Sequence, residues 1–104
     1  MKLDNQRRLT IPNFMREHVE IELGQYYYLI YKSNNNILIA DNPKGKTIGQ
    51  IKIDERYRFV IPSCIVNLFT EKEIVMYYED DSFGMLIIDE NIWIGVLIFL
   101  YIEK

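Results

Sequence analysis

The chain has 104 residues, 49% of them hydrophobic and 26% charged, which is enough for one domain with a modest core. Its single cysteine, Cys64, excludes an intramolecular disulfide and fits a reducing cytoplasm. A formal net charge of −3 argues against a uniformly basic nucleic-acid binder, but the distribution matters more than the sum. Through Arg58 there are ten Lys or Arg against seven acids; from Phe59 onward there are two against eight. Charged Lys2, Asp4, Arg7 and Arg8 occupy the first residues, so no signal peptide is expected there.

The first stretch, Lys2 to Pro12, reads KLDNQRRLTIP, and fifty residues later Lys52 to Pro62 reads KIDERYRFVIP. Lys2, Asp4, Arg8, Ile11 and Pro12 recur as Lys52, Asp54, Arg58, Ile61 and Pro62. Two copies are too few for a solenoid and imply a pseudo-symmetric pair of half-folds. Each copy begins as a tight β-hairpin, in which Asp4 faces Arg8 across Asn5-Gln6-Arg7 and Asp54 faces Arg58 across the second loop. Such a pair contributes about 0.2–1 kcal/mol and chiefly sets the turn. The third loop place favours glycine, because it commonly needs positive φ. Arg7 and Tyr57 hold it here, so either the loop takes another form or each copy carries roughly 1 kcal/mol of strain.

Pro12 suits the opening of a short helix whose apolar face is read as Phe14, His18 and Val19, with Gly24 as its stop. Tyr26–Lys32 and Ile37–Ala40 read as strands around the turn Ser33-Asn34-Asn35-Asn36. The plan divides the single domain into a first half-repeat (1–42), a linker (43–49), a second half-repeat (50–90) and an apolar segment (91–104). In the second half, Pro62 opens a helix with Ile65, Leu68 and Phe69 on one face. Ile74–Tyr78, the acidic turn Glu79–Ser82 and Met85–Ile88 follow. The run Ile92–Ile102 is eleven apolar residues, too short for a membrane-spanning helix of about 20, so no membrane role is expected. It reads as a buried strand or helix, with Ile92, Trp93, Ile94, Val96, Leu97 and Phe99 as an oligomer interface.

With these residues in place, the chain resembles the swapped-hairpin superfamily of AbrB, MazE, SpoVT and MraZ. The likeness rests on Asp4, Arg8, Ile11 and Pro12, and on Asp54, Arg58, Ile61 and Pro62, and covers residues 1–42 and 50–90. It implies a mainly β fold with short helices: one swapped-hairpin β-barrel built from two tandem half-repeats as an intrachain pseudo-dimer, as in the MraZ branch. The chain departs from that pattern where Arg7 and Tyr57 replace the glycine before the motif arginine. It departs again where Thr70-Glu71-Lys72 replaces a Gly-Asp step, and where Val66 stands in the place of Arg16.

The resemblance implies binding of double-stranded DNA through the hairpin loops and helix starts. Lys2, Arg7, Arg8, Arg16, Lys52, Arg56 and Arg58 are the candidate contacts, with Asp4, Asp54, Pro12 and Pro62 as turn-setting residues. Lysine and arginine supply the salt-dependent phosphate contacts, and arginine also pairs with guanine edges. The blander reading makes the same residues solvated strand ends. His18 is expected in the core or rim, and Cys64 is expected buried as a small hydrophobe. Half of Tyr26, Tyr27, Tyr28, Tyr31, Tyr77 and Tyr78 are expected inside the fold, and Asp80-Asp81 reads as a hairpin tip rather than a cation site. No phosphate loop, metal-ligand spacing or nucleophile–base pair is visible, so neither enzyme, metal nor cofactor is expected. Two readings stand: a cytoplasmic, homo-oligomeric DNA-binding transcriptional regulator, or an antitoxin-type or other protein-interaction module whose C-terminal part binds a protein partner and whose DNA binding is secondary or lost.

Overall fold

The structure, a computed structural model, describes residues 1–88. The apolar run and its interface residues Ile92, Trp93, Ile94, Val96, Leu97 and Phe99 lie outside the described residues. The chain runs β1 (Arg8–Thr10), α1 (Asn13–Arg16), β2 (Tyr26–Tyr31), β3 (Asn36–Ala40), β4 (Thr47–Lys52), β5 (Arg58–Val60), a 3₁₀ helix (Ser63–Leu68), β6 (Glu73–Glu79) and β7 (Ser82–Ile88). The described residues are mainly β with two short helices.

The described strands form two antiparallel sheets and do not close into the expected barrel. One is the ribbon β1–β5; the other has five strands in the order β4-β2-β3-β7-β6. The ribbon stops short because each of its strands runs into Ile-Pro, and Pro12 and Pro62 have no N–H with which to extend a ladder. The β4 strand begins at Thr47, inside the segment read as a linker, because its backbone pairs with β2 from Tyr26↔Lys52 to Ile30↔Thr47.

Within each half β2 pairs with β3 and β6 with β7, and further strand pairing joins the halves. The first strand of the second half, β4, lies on β2 of the first half. In return, the backbone of Met1 exchanges hydrogen bonds with Ile74 on β6: the Ile74 N–H donates to the Met1 oxygen at 2.7 Å and the Met1 nitrogen to the Ile74 oxygen at 2.8 Å. The β3 and β7 strands of the two halves also pair, with Ile37 opposite Met85. Beside them, Gly84 faces Tyr77, and a Cβ at Gly84 would stand 2.6 Å from the Ile37 carbonyl oxygen. Only glycine fits there.

The core lies between these elements. Leu9, Ile11, Ile53, Phe59 and Ile61 from the repeated motifs are buried with Leu29, Ile37, Ile74 and Met85 from the large sheet. Burying each such side chain contributes about 1.5–3 kcal/mol, so the motif serves the core as much as the turn.

The helices differ from expectation. In α1 the buried residue is Met15, and Val19 beyond it is buried as expected, while Phe14 is 50% exposed and His18 exposed. In the second half Phe69 is buried, Ile65 half-buried and Leu68 exposed. The α1 helix ends at Arg16 rather than near Gly24, whose φ of 78° instead serves a turn in which its N–H bonds the Ile53 carbonyl. Among the described residues no helix is long and apolar enough to cross a membrane.

Candidate nucleic-acid interface

Each repeated motif folds into the same turn, and one aspartate holds it. Asp4 accepts the Gln6 and Arg8 N–H groups on Oδ1, both at 2.8 Å, and Arg8 Nε on Oδ2 at 2.8 Å. Asp54 accepts the Arg56 and Arg58 N–H groups on Oδ1 at 2.8 and 3.0 Å, and Arg58 Nε on Oδ2 at 3.1 Å. The turn closes through Arg7 N–H to the Asp4 carbonyl and Tyr57 N–H to the Asp54 carbonyl, both 3.0 Å.

These contacts hold both carboxyls below the usual carboxylate range. For Asp4 the Arg8 backbone N–H contributes most, followed by its side chain. For Asp54 desolvation is the largest single effect and pushes upward, but the combined hydrogen bonds from Arg58 and Arg56 overcome it.

The third loop place is strained in both copies. Arg7 has φ 60° and Tyr57 φ 58°, the left-handed region where a side chain costs about 1–2 kcal/mol. The loops therefore keep the ordinary three-residue form without its glycine.

Beyond the turns, β1 and β5 pair with Leu9 opposite Phe59, flanked by Arg8↔Val60 and Thr10↔Arg58. Leu9 and Phe59 point into the core, at 2% and 1% exposure. Since strand side chains alternate and cross-strand partners share a face, Arg8, Thr10, Arg58 and Val60 form the outward face of the ribbon. Arg8 and Arg58 are diagonal neighbours on it, about 7–8 Å apart at Cα. The turns sit at opposite ends: Ile61 N–H bonds the Arg7 carbonyl and Ile11 N–H the Tyr57 carbonyl, both at 2.8 Å. Four residues of strand, about 13 Å, separate the two ends.

The seven candidate cations fall into three groups. Arg8 and Arg58 lie on the ribbon face, each spending Nε on its aspartate. Arg7 and Arg56 are exposed at the tips, and their side chains make no hydrogen bond or ion pair to a described residue. Arg16 and Lys52 contact the fold itself, and Lys2 is an exposed residue whose charge acts weakly on Glu73. Arg16 donates to the Ile11 carbonyl through Nε at 3.0 Å and an Nη at 2.8 Å, and lies 4.2 Å from the Tyr57 ring centroid. The Glu73 carboxyl is lowered first by the hydrogen-bonded N-terminal ammonium and least by the charge of Lys2, and Lys52 Nζ lies 5.3 Å from the Tyr26 ring centroid.

Thr10 and Val60 share the ribbon face but were not singled out in the sequence. The alternation about Leu9 and Phe59 carries the signal for both.

The remaining candidates are placed as follows. Cys64 is exposed, not buried: it occupies the place of exposed Phe14, one residue before the inward-pointing Met15 and Ile65. His18 is exposed and stacks on Tyr78 with ring centroids 4.8 Å apart, while its Nδ1 lies 2.7 Å from the Phe14 carbonyl oxygen. Tyr27 is buried, Tyr28, Tyr31 and Tyr77 are half-buried, and Tyr26 and Tyr78 are exposed. Asp80 and Asp81 form the tip between β6 and β7, and no metal-holding cluster occurs among the described residues. A cleft of about 600 Å³ is lined by Glu20, Glu22, Asp41 and Asp81 with Lys44, and by none of the ribbon residues.

No family model matches the chain, and neither the curated proteins nor the solved structures contain a significant match.

Proposed function

We propose that this chain is a DNA-binding regulator of the swapped-hairpin type, with the β1–β5 ribbon and its two turns as the contact face. The observation that carries the reading is the register Leu9↔Phe59, which turns Arg8 and Arg58 to one outward surface between two cation-bearing tips. A two-stranded ribbon fits the major groove of duplex DNA, about 12 Å wide. The free Nη groups of Arg8 and Arg58, with Arg7 and Arg56, suit phosphate contact and guanine readout. Acidic Glu20, Glu22, Asp41 and Asp81 line a separate cleft, so the net charge of −3 does not describe this surface.

Two further observations support the reading. The β4 strand lies on β2, and the Met1 backbone exchanges two hydrogen bonds with Ile74 on β6, a reciprocity between the halves that supports a swapped arrangement. The paired Asp4–Arg8 and Asp54–Arg58 turns show the doubled motif acting as two equivalent structural units.

Fluorescence anisotropy with a labelled duplex, comparing wild type with Arg8→Ala plus Arg58→Ala at low salt, tests the proposal. Loss of at least about tenfold in affinity supports it. Absence of wild-type binding, or no change in the double variant, refutes it. Homo-oligomerisation through Ile92–Ile102 belongs to the same proposal. Deleting residues 92–104 lowers the mass measured by light scattering if that part is right, and leaves it unchanged if it is wrong.

A further inference from the structure

The two turns are alike in backbone and unlike in what they present. Gln6 and Arg56 occupy the same place: the N–H of each donates to Oδ1 of its aspartate at 2.8 Å, and each precedes a left-handed residue, with φ 60° and 58°. Both side chains are exposed and make no hydrogen bond to a described residue. One fixed backbone position therefore carries a carboxamide at one end of the ribbon and a guanidinium at the other.

The neighbouring place is also unequal. Arg7 is exposed at the first tip, whereas its counterpart Tyr57 is half-buried and covered by the Arg16 guanidinium at 4.2 Å. Val66 holds the place equivalent to Arg16 in the second half, so no second arginine repeats that cover over Arg7. The asymmetry is thus built from three substitutions on a repeated frame.

Resting on the DNA-binding reading above, we propose that the ribbon recognises a non-palindromic duplex site, with Gln6 and Arg56 as its specificity-determining residues. A carboxamide pairs in a bidentate manner with adenine N6 and N7, and a guanidinium with guanine O6 and N7. The two ends of the ribbon then read an adenine in one half-site and a guanine at the corresponding position of the other. A symmetric dimer of a single hairpin has identical tips and cannot make this distinction; a chain carrying two unlike copies can.

The test selects binding sites from a random duplex library with the full chain, then repeats the selection with Gln6→Arg and with Arg56→Gln. Both positions hold their turn through the backbone N–H, so these substitutions keep the hydrogen bonds to Asp4 and Asp54. Circular dichroism checks that each variant is folded. The wild type is expected to select an asymmetric site. Gln6→Arg is expected to replace adenine by guanine at one position, and Arg56→Gln guanine by adenine at the other, each shifting preference about tenfold. A palindromic wild-type site, a selection without sequence preference, or an asymmetric site unmoved by either substitution would overturn the inference while leaving DNA binding intact. Failure to enrich any duplex overturns both.

Discussion

The Arg16 guanidinium lies 4.2 Å from the centroid of the Tyr57 ring, joining the helix of the first half to the turn of the second. The same guanidinium caps the Ile11 carbonyl through two nitrogens, at 3.0 and 2.8 Å. Arg16 is therefore a bracket between halves rather than a free cation. Arg16→Ala is expected to lower stability by about 2 kcal/mol, from charge-assisted hydrogen bonds and the cation–π contact. Urea denaturation reads this directly. Weaker DNA binding without any loss of stability would instead make Arg16 a contact residue.

The same contact separates the two strained turn positions. Arg7→Gly removes a left-handed side-chain penalty of about 1–2 kcal/mol and loses up to about 1 kcal/mol to greater freedom of the unfolded chain. A small net stabilisation, about 0.5 kcal/mol, is expected. Tyr57→Gly relieves the same strain but removes the ring beneath Arg16 and a side chain packed against the core, so net destabilisation is expected. Thermal midpoints moving in opposite directions check this, and equal shifts would contradict it.

Much of this frame was legible in the residues themselves. Asp4 and Arg8, with Asp54 and Arg58, foretold two equivalent turns because the required hydrogen bonds are local. The three-residue loop length marked Arg7 and Tyr57 as places of either positive φ or another loop form, and both take positive φ. What failed was longer in range or finer in phase. The α1 helix has only four residues, too few for periodicity to choose between Phe14 and Met15 as the inward position, although Val19 beyond it is buried as expected. The error carried over to Cys64, the counterpart of Phe14. The extension of β4 to Thr47 depends on β2, twenty residues away, and the division into two sheets on pairings between the halves. Neither leaves a local mark. At the site, the charges of Arg16 and Lys52 were visible, but their engagement with Ile11 and Tyr26 is a tertiary fact.

Acid should loosen both turns together. Asp4 and Asp54 have lowered folded-state pKa values, so their contribution is fully present above the unfolded value of about 3.9 and is lost as pH falls through the lower folded values. Thermal midpoints of the wild type are expected to fall below about pH 4. Asp4→Asn plus Asp54→Asn should be less stable at neutral pH and show a shallower acid slope. An unchanged slope in that variant would place the acid sensitivity elsewhere, with Glu73 the next carboxylate to substitute.

The most direct test of the central claim is the salt dependence of DNA binding in Arg7→Ala plus Arg56→Ala. Both side chains are exposed and without hydrogen-bonding partners among the described residues, so their loss should leave the thermal midpoint nearly unchanged. If the two tips contact phosphates, the slope of log affinity against log salt should flatten by roughly 0.9 for each cation removed, about 2 in all. A double variant with the wild-type slope and affinity would contradict the ribbon and its tips as the DNA-binding surface.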